Sequence, residues 1–576
     1  MNETRKHYIR SLLHTPYRHT RREYHASPWT FKMIWYSDYS MNLIIKDAVR
    51  QILWRLASAV WGFLVIKMIT PYLGPLRFGD YTTILKYFAI WSAFADFWLY
   101  VIAMKQLGEI KSRLTSSKTV RHSERGTTEE SRQADDSHIS WLWLDSSLRS
   151  EWRANSELAI YYNKFVSSRL FMIVMVYTIA LIISYLIPSY TSNPYLIRGL
   201  PLGMIFSASF MTAGILQIPL QLFWQMKHLS IGLILARMVQ IAILGVSIYA
   251  IYPLIDFSAS TPVIRAFNAI LLSVIASGVT QWLYVYLIWR KYLPLQRHRD
   301  RNFTKNILKS NRQYGCAYYL SSFHTLIVVI LISIFYPTTQ GYIFAGVYGL
   351  TLSLIEILLI IPSALGNSLM HDIWDVTDET KKRRFGTLLS LVVIVWFFVI
   401  ANFLIFAPHV INFLWGSEFL TTTSQIGSDW ILPFLGIVIT LSFIKQVFNY
   451  LFVSTDLHNK LLWINLFGVV VWVSIWVPLI LRYQLIGGII TQILLEVLFV
   501  VGAVYVAHKH NMLPRIKQNM SLWLLASLAR CFILFFWSYM YLNLSLDTYR
   551  WLAGILLNGV AWLIIFPQYK RILKSL

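Results

Sequence analysis

The sequence predicts an all-α polytopic membrane protein with about 14 transmembrane helices, arranged as two pseudo-symmetric six-helix lobes and a C-terminal helix pair. Of the 576 residues, 56% are hydrophobic and only 14% are charged, whereas soluble domains carry roughly 25% charged residues. Apolar stretches of roughly 20 residues, long enough to cross a hydrocarbon core, recur along the chain. A basic segment separates the first six stretches from the next six, which indicates two lobes joined by a linker.

The chain divides into five segments. Residues 1–45 are predicted to form a basic cytoplasmic tail, flexible and resting on anionic headgroups, with Met41 as an alternative start. The N-lobe covers 46–288, with spans near 50–70, 80–104, 164–187, 200–224, 229–253 and 264–288. A basic cytoplasmic linker, 289–313, precedes the C-lobe, 314–510, with spans near 314–336, 341–365, 385–407, 430–454, 460–481 and 485–506. Residues 511–576 hold spans near 520–542 and 549–567 and a cytoplasmic C-terminus.

The N-lobe contains a long polar cytoplasmic insert, 105–163. Trp141, Leu144, Leu148 and Trp152 recur in it at helical spacing, which predicts an interfacial helix that leads into the third span, preceded by disordered chain.

The distribution of positive charge orients the spans. With a cytoplasmic N-terminus, only five of the 51 Lys and Arg residues are assigned to outer loops. This asymmetry follows the positive-inside rule and predicts that both termini are cytoplasmic. The membrane is expected to be the cytoplasmic membrane of the cell.

Several function classes lack support in the sequence. The net charge of +24 is explained by membrane topology and lipid contact, so no nucleic-acid partner is expected. There is no phosphate-binding loop, no H-E-x-x-H motif and no dinucleotide-binding motif, and the cysteines Cys316 and Cys531 lie far apart. No enzyme activity, metal or cofactor is predicted. A membrane glycosyltransferase or polymerase is the enzyme alternative. Such enzymes usually present acidic or His residues on a sizeable outer loop, and the longest predicted outer loop of this chain, 408–429, contains few of them.

Ionisable residues inside the spans are the candidate site residues, because each costs at least about 2.5 kcal/mol at the bilayer centre on insertion scales. The first six spans carry a net charge of +4, and the remaining spans balance. The N-lobe residues are Arg55, Lys67, Lys86, Arg169 and Arg237 against Asp96; the later spans contain Lys445 and Arg530 against Glu356 and Glu496.

Each candidate also has a structural interpretation. Arg55, Arg169, Lys67 and Lys86 lie close enough to the membrane surfaces to extend their charged ends to headgroups. Arg237 lies some nine residues into its span, so its alternative is an ion pair with Asp96.

Three of the four charged residues in the later spans have two open interpretations. For Glu356, Glu496 and Lys445, pairing within the C-lobe and coupling to an ion are both open. The functional hypothesis is that the N-lobe cations line a cavity for an anionic headgroup, since Arg and Lys donors match phosphate well.

A resemblance to a known family rests on short motifs in a consistent order. The run Ile69–Tyr81 (ITPYLGPLRFGDY) resembles the "LGPxxFGxY" turn of Wzx-type polysaccharide flippases, within the multidrug/oligosaccharidyl-lipid/polysaccharide exporter superfamily. In it Gly74 and Gly79 are predicted to supply backbone freedom, Pro75 to fix φ, and Phe78 completes the motif. Further similarities are Ile355–Ile357 with Ile361–Leu365, Phe413–Phe419 (FLWGSEF), and Gly487-Gly488 with Glu496.

The resemblance implies a two-lobed carrier that moves a polyprenyl-diphosphate-linked oligosaccharide from the inner to the outer leaflet by alternating access. It also implies membrane lipids as partners and a lipid-tail groove formed by the last two spans. The basic leader and the insert 105–163 depart from the family pattern, and they are interpreted as marks of a partner, such as a polysaccharide polymerase or glycosyltransferase, on the same membrane. A coupling Na⁺ or H⁺ would act at Asp96, Glu356 or Glu496. The alternative is a cation-coupled multidrug exporter of the same superfamily, for which an acidic rather than a basic cavity is expected.

Overall fold

A computed structural model describes most of the predicted lobes. The described residues are 28–96, 157–222, 226–253, 260–290, 300–358, 377–423, 425–455 and 457–514, with the isolated positions 103, 106, 107, 110 and 560. The chain separates into two units, residues 1–49 and residues 50–576, and all side-chain contacts described below lie in the second. The predicted interfacial helix at 141–152, spans 520–542 and 549–567, and Arg530 lie outside the described residues.

The described residues are helical and contain no strand. The helices are α1 Pro28–Asp96, α2 Glu157–Tyr185, α3 Pro188–Thr191, α4 Pro194–Leu222, α5 Met226–Gly245 with a π-helical extension Val246–Ile251, α6 Ser260–Trp289, α7 Arg301–Phe335, α8 Thr339–Leu358, α9 Asp378–Trp415 with a 3₁₀ turn Ser417–Phe419, α10 Ser428–Ser454 and α11 His458–Lys509. These helices overlap the first twelve predicted spans, because long apolar sequences in a bilayer must satisfy their backbone hydrogen bonds internally.

Membrane-length helices confirm the fold class. By length and composition, six helices of the described residues could cross a membrane, and a seventh is added when the pair Gly315–Ser321 and Leu326–Phe335, bent by 58°, is taken as one span. One of the six, Asn459–Lys509, holds two of the predicted spans. The protein is therefore a multi-pass α-helical membrane protein.

Two long helices each turn back at one residue. In α1 the turn lies at Gly74, with φ 63° and ψ 174°, as predicted for the motif that contains it. In α11 it lies at Gln484, with φ 50° and ψ −126°, a left-handed conformation that is uncommon for a residue with a side chain. A Cβ at Gly487 would overlap the carbonyl of Leu479, so the following glycine lets the two arms of α11 approach closely.

Helices of each lobe pack mainly on one another. In the N-lobe α4 packs against α2 and α6, and α5 packs against α6; in the C-lobe α11 packs against α7 and α10, and α10 packs against α8 and α9. Direct helix packing between the lobes includes α7 against α2 and α3. The turns at Gly74, Ser192, Tyr336, Gly416 and Gln484 share one end of the helices, here named the Gly74 end; the opposite end, which contains Asp300, is named the Asp300 end.

Three predicted boundaries were wrong. Helix α1 begins at Pro28, so part of the segment predicted as a flexible tail is helical. Helix α7 begins at Arg301, because Asp300 accepts a hydrogen bond from the backbone N–H of Phe303 and caps it within the predicted linker. Helix α9 continues through Pro408 to Trp415, which shortens the predicted 408–429 loop.

Candidate functional site

The two motifs that carried the resemblance meet at the Gly74 end. The rings of Phe78 in α1 and Phe419 after α9 lie 6.1 Å apart, edge to face. A Cβ at Gly74 would lie 3.5 Å from Oε2 of Glu418. Segments more than 300 residues apart in the sequence are therefore neighbours, one from each lobe.

Helices α1 and α8 cross at a pair of glycines next to this contact. A Cβ at Gly79 would overlap the carbonyl of Tyr342, and a Cβ at Gly346 would overlap the carbonyl of Pro75. The prediction that Gly79 supplies backbone freedom was wrong, because it is helical and is needed for close approach instead. The lobes therefore touch backbone to backbone at the Gly74 end.

One ion pair joins the lobes on the side of this crossing that faces the Asp300 end. Nζ of Lys86 lies 2.6 Å from both carboxylate oxygens of Glu356 in α8. The Lys86 side chain is only 9% exposed, so it does not extend to headgroups, and Glu356 pairs outside its own lobe. Both structural alternatives given above for these two residues were wrong.

Asp96 forms an ion pair with a different cation from the one expected. The guanidinium Nη2 of Arg169 in α2 pairs with Oδ1 of Asp96, within the N-lobe. Arg169 is 3% exposed, so its charged end does not extend to headgroups. The suggested Arg237–Asp96 pair was wrong, because Asp96 pairs with Arg169 and Arg237 donates to Gln240. Asp96 lies near the Asp300 end of α1, whereas Arg237 lies beside a different part of that helix, and sequence distance alone could not show this.

Arg237 keeps a positive charge with no described carboxylate beside it. Its Nη1 donates a 2.7 Å hydrogen bond to Oε1 of Gln240, one turn further along α5. Gln240 is buried at 1% exposure, and Tyr81 of α1 is the phenol close enough to interact electrostatically with the guanidinium. The π-helical extension of α5 begins nine residues after Arg237, and such segments are frequent at functional sites.

Among the N-lobe candidates whose side chains are described, Lys67 is the second with no described carboxylate beside it. Its Nζ lies 4.3 Å from the ring centre of Phe413 in α9, a cation–π contact between the lobes. Lys67 is exposed, in agreement with the expectation that its charge reaches a polar surface. The side chain of Arg55 lies outside the described residues.

The C-lobe contains a buried charge cluster around Glu496. Its Oε1 accepts hydrogen bonds from Nε2 of His324 at 2.9 Å, Oγ of Ser442 at 2.5 Å and Nζ of Lys445 at 3.1 Å. The pairing of Glu496 with Lys445 inside the C-lobe agrees with the structural alternative for this pair. His324, fully buried in α7, was missed in the sequence because a single histidine in an apolar span does not reveal its partner.

Asp80, a buried acid at the Gly74 end, was also missed in the sequence. Asp80 accepts hydrogen bonds from Nδ2 of Asn193 at 2.7 Å and Nη1 of Arg77 at 3.2 Å, and the Arg77 guanidinium stacks 3.8 Å over the ring of Tyr195. The signal was present in the "RFGD" run, Arg77–Asp80, since Arg77 and Asp80 are one helical turn apart. This network fixes the start of α4 against α1.

The lobes also touch at the Asp300 end. Nζ of Lys164 in α2 lies 2.9 Å from Oδ2 of Asp300, and the hydroxyls of Ser168 and Thr304 lie 2.6 Å apart. The backbone N–H of Phe303, together with the Lys164 ammonium, holds the pKa of Asp300 below its ordinary value. In the described residues, no group of three or more His, Cys, Asp or Glu side chains could hold a metal ion.

No family model matches the chain, and no curated protein matches its sequence. Solved structures do resemble it. An inward-facing multidrug resistance MATE family transporter of the MOP superfamily has 12% identity and a TM-score of 0.52, over 80% of this chain and 98% of that one. The lipid II flippase MurJ, in an inward closed conformation, has 12% identity and a TM-score of 0.51, over 90% of this chain and 99% of that one.

A Vibrio cholerae MATE transporter is also similar, with 11% identity and a TM-score of 0.50, over 82% of this chain and 99% of that one. The chain has the fold of the MOP superfamily transporters. At these identities the likeness establishes the MOP fold and leaves the cargo to the residues of the site. The MOP fold agrees with the superfamily indicated by the sequence motifs.

Proposed function

We propose that this protein is a flippase that moves a polyprenyl-diphosphate-linked oligosaccharide from the inner to the outer leaflet of the cytoplasmic membrane, for cell-surface polysaccharide synthesis. Transport proceeds by alternating access, with both termini in the cytoplasm and the Gly74 end outside. Na⁺ or H⁺ is the coupling ion, membrane lipids surround the carrier, and polymerases or glycosyltransferases of the same membrane supply and use its cargo. No bond is made or broken.

The observation that carries this proposal is that Arg237 has no described carboxylate to neutralise its charge. Asp96, the N-lobe acid that could have neutralised it, is occupied by Arg169, and the described partner of Arg237 is the neutral amide of Gln240. A guanidinium surrounded by apolar helices favours an anionic ligand that supplies several acceptor oxygens. A lipid diphosphate meets that requirement, and a cationic drug does not.

The test uses the full chain in liposomes that contain a labelled polyprenyl-diphosphate oligosaccharide. Transport is measured as the fraction of label that becomes accessible to an added sugar-modifying enzyme outside the vesicle. Wild-type protein should raise this fraction above that of empty liposomes. Arg237→Ala should lower the rate at least tenfold, because the headgroup loses its unneutralised donor.

Arg265→Ala is the matched control, since Arg265 is an exposed arginine of the neighbouring helix α6. It should transport at the wild-type rate. Equal rates for Arg237→Ala and wild type would remove Arg237 from the site. No transport by wild type with several sugars, and with Na⁺ and H⁺ gradients applied, would contradict the flippase proposal.

A multidrug exporter is the second candidate, and the Glu496 cluster favours it. Glu496 is fully buried, and its Oε2 has no hydrogen-bond partner among the described residues. A buried carboxylate with a vacant oxygen suits proton or Na⁺ coupling. Efflux of ethidium from the same liposomes, driven by an ion gradient and abolished by Glu496→Gln, would favour the exporter over the flippase.

A further inference from the structure

Lys86 and Glu356 form a direct link between the lobes. Among the ion pairs of the described ranges, it alone joins an N-lobe span to a C-lobe span; the others lie within one lobe or include Asp300 of the linker. Lys86 has no other described partner, and both of its hydrogen bonds end on the same carboxylate. The link therefore depends on one group from each lobe.

The pair lies close to the glycine crossing of α1 and α8. Lys86 follows Gly79 by seven residues, and Glu356 follows Gly349 by seven residues. Glu356 also follows Gly346, the α8 glycine of the crossing, by ten residues. At 1.5 Å per residue, Lys86 therefore lies about 10 Å and Glu356 about 15 Å along their helices from the Gly79–Gly346 crossing, toward the Asp300 end. Gly349 itself faces Thr82 of α1. A change in this pair therefore acts directly on the contact that closes the Gly74 end.

The two partners differ in exposure. The side chain of Lys86 is 9% exposed, whereas that of Glu356 is 36% exposed. If the pair separates, Glu356 can be solvated where it is, but Lys86 remains buried and requires another anion. The site is therefore set up to exchange its negative partner and to retain its positive one.

We infer that Glu356 occupies the place of the substrate's diphosphate on Lys86, and that an arriving diphosphate headgroup displaces it and releases the contact between the lobes at the Gly74 end. This inference rests on the proposed function and names how its substrate triggers the conformational change. Carboxylate and phosphate both offer two acceptor oxygens to an ammonium, so the incoming group replaces both hydrogen bonds.

The same geometry selects the sign of the cargo. A cation that paired with Glu356 would leave the Lys86 ammonium buried without a counter-charge, which is unfavourable. An anion that paired with Lys86 leaves only the more exposed carboxylate to be hydrated. The exchange therefore proceeds for a lipid diphosphate and not for an organic cation.

The experiment measures the distance between spin labels at the Gly74 end in the full chain in nanodiscs. Labels are attached at Ser192→Cys and Leu481→Cys, both exposed positions, one in each lobe, after Cys316→Ser and Cys531→Ser. The probes are farnesyl diphosphate, inorganic pyrophosphate and tetraphenylphosphonium. Comparison of the first two separates the contribution of the lipid from that of the headgroup.

Farnesyl diphosphate should lengthen the distance in the wild-type background, and pyrophosphate should do so at a higher concentration. Glu356→Gln should show the longer distance without any ligand. Lys86→Gln should show no response to farnesyl diphosphate at tenfold the concentration that saturates the wild type. Lys86→Glu combined with Glu356→Lys should restore the short distance, which demonstrates that loss of folding does not explain the single variants.

Glu379→Gln is the control, because Glu379 pairs with Lys382 one turn away in α9, and the label distance in this variant should match that of the wild type. An unchanged distance in Glu356→Gln, with a normal response to farnesyl diphosphate, would overturn the inference. Lengthening by tetraphenylphosphonium instead of the diphosphates would also overturn it. The flippase proposal fails separately, when wild-type liposomes move no lipid-linked oligosaccharide.

Discussion

Glu496 illustrates how a single charge is stabilised inside this protein. It is fully buried, and one carboxylate oxygen accepts hydrogen bonds from His324, Ser442 and Lys445. Lys445 in addition lies 4.7 Å from the ring centre of Phe499. Within the cluster, the charges of Lys445 in α10 and Glu496 in α11 neutralise each other locally, and Glu356, the other charged candidate of the C-lobe spans, pairs with Lys86 of the N-lobe.

A double-mutant cycle tests this neutralisation. Glu496→Gln and Lys445→Met should each lower the free energy of unfolding by about 3–5 kcal/mol, because each leaves an uncompensated buried charge. The double variant should lose less free energy of unfolding than the sum of the losses in the two single variants, and the difference, the coupling energy, should be about 0.5–3 kcal/mol. Unfolding in mixed micelles, followed by circular dichroism, gives the four values. Additive costs would contradict a direct interaction.

The N-lobe cations have contrasting surroundings. Arg169 and Lys86 have carboxylate partners, whereas Lys67 contacts an aromatic ring and Arg237 contacts an amide. The charge count along the sequence predicted an excess of positive charge but could not assign it to particular side chains. The structure narrows the described excess to Lys67 and Arg237.

At the scale of helices, the crossing of α1 and α8 depends on glycine. Gly346→Ala should destabilise the protein by about 1–3 kcal/mol, because its Cβ would overlap backbone atoms that have no freedom to move. Thermal unfolding monitored by tryptophan fluorescence measures the effect. Gly62→Ala is the matched control within α1, because its Cβ would meet nothing within 4 Å. It should be neutral or stabilising by about 0.5–1 kcal/mol.

The cap of α7 predicts a pH dependence at the Asp300 end. Because the folded-state pKa of Asp300 lies below its ordinary value of 3.8, its contact with Lys164 contributes stability that is fully present above that value. The contribution is lost as the pH falls through the lowered pKa. The free energy of unfolding, measured from pH 7 to pH 3, should therefore fall more steeply with pH at the acid end for the wild type than for Asp300→Asn. Parallel curves would contradict this assignment.

At the scale of the whole molecule, the described lobes touch at both ends. The Gly79–Gly346 crossing and the Lys86–Glu356 pair link them toward the Gly74 end, and the Ser168–Thr304 and Lys164–Asp300 contacts link them at the Asp300 end. Alternating access requires each set of contacts to break in turn.

A disulfide across the Asp300 end tests this requirement. In a background with Cys316→Ser and Cys531→Ser, the variant Ser168→Cys/Thr304→Cys should stop transport when oxidised and recover it on reduction, since the two hydroxyls lie 2.6 Å apart. Each single cysteine variant should transport equally well under both conditions. Continued transport by the oxidised, fully cross-linked protein would contradict alternating access at this end.

Much of the fold was predictable from the sequence, because in a bilayer the apolar stretches must be helices and their lengths follow the membrane thickness. The fold class was confirmed for that reason, and the turn at Gly74 was confirmed because glycine adopts a positive φ without steric cost. The helix bounds at Pro28, Arg301 and Trp415 were not predicted, since caps and helix extensions outside the apolar stretches depend on local hydrogen bonds rather than on hydrophobicity.

The sequence by itself determined the fold class, the grouping of spans into two lobes, and the identity of the charged residues in them. Only the tertiary structure decided their partners: Arg169 with Asp96, Lys86 with Glu356, and Glu496 with His324 as well as Lys445. Helical periodicity places a residue along its own helix, but pairing depends on the rotation and packing of another helix far away in the chain. Those quantities are set by side-chain contacts across the whole lobe, and they leave Arg237 as the cation on which the proposed function rests.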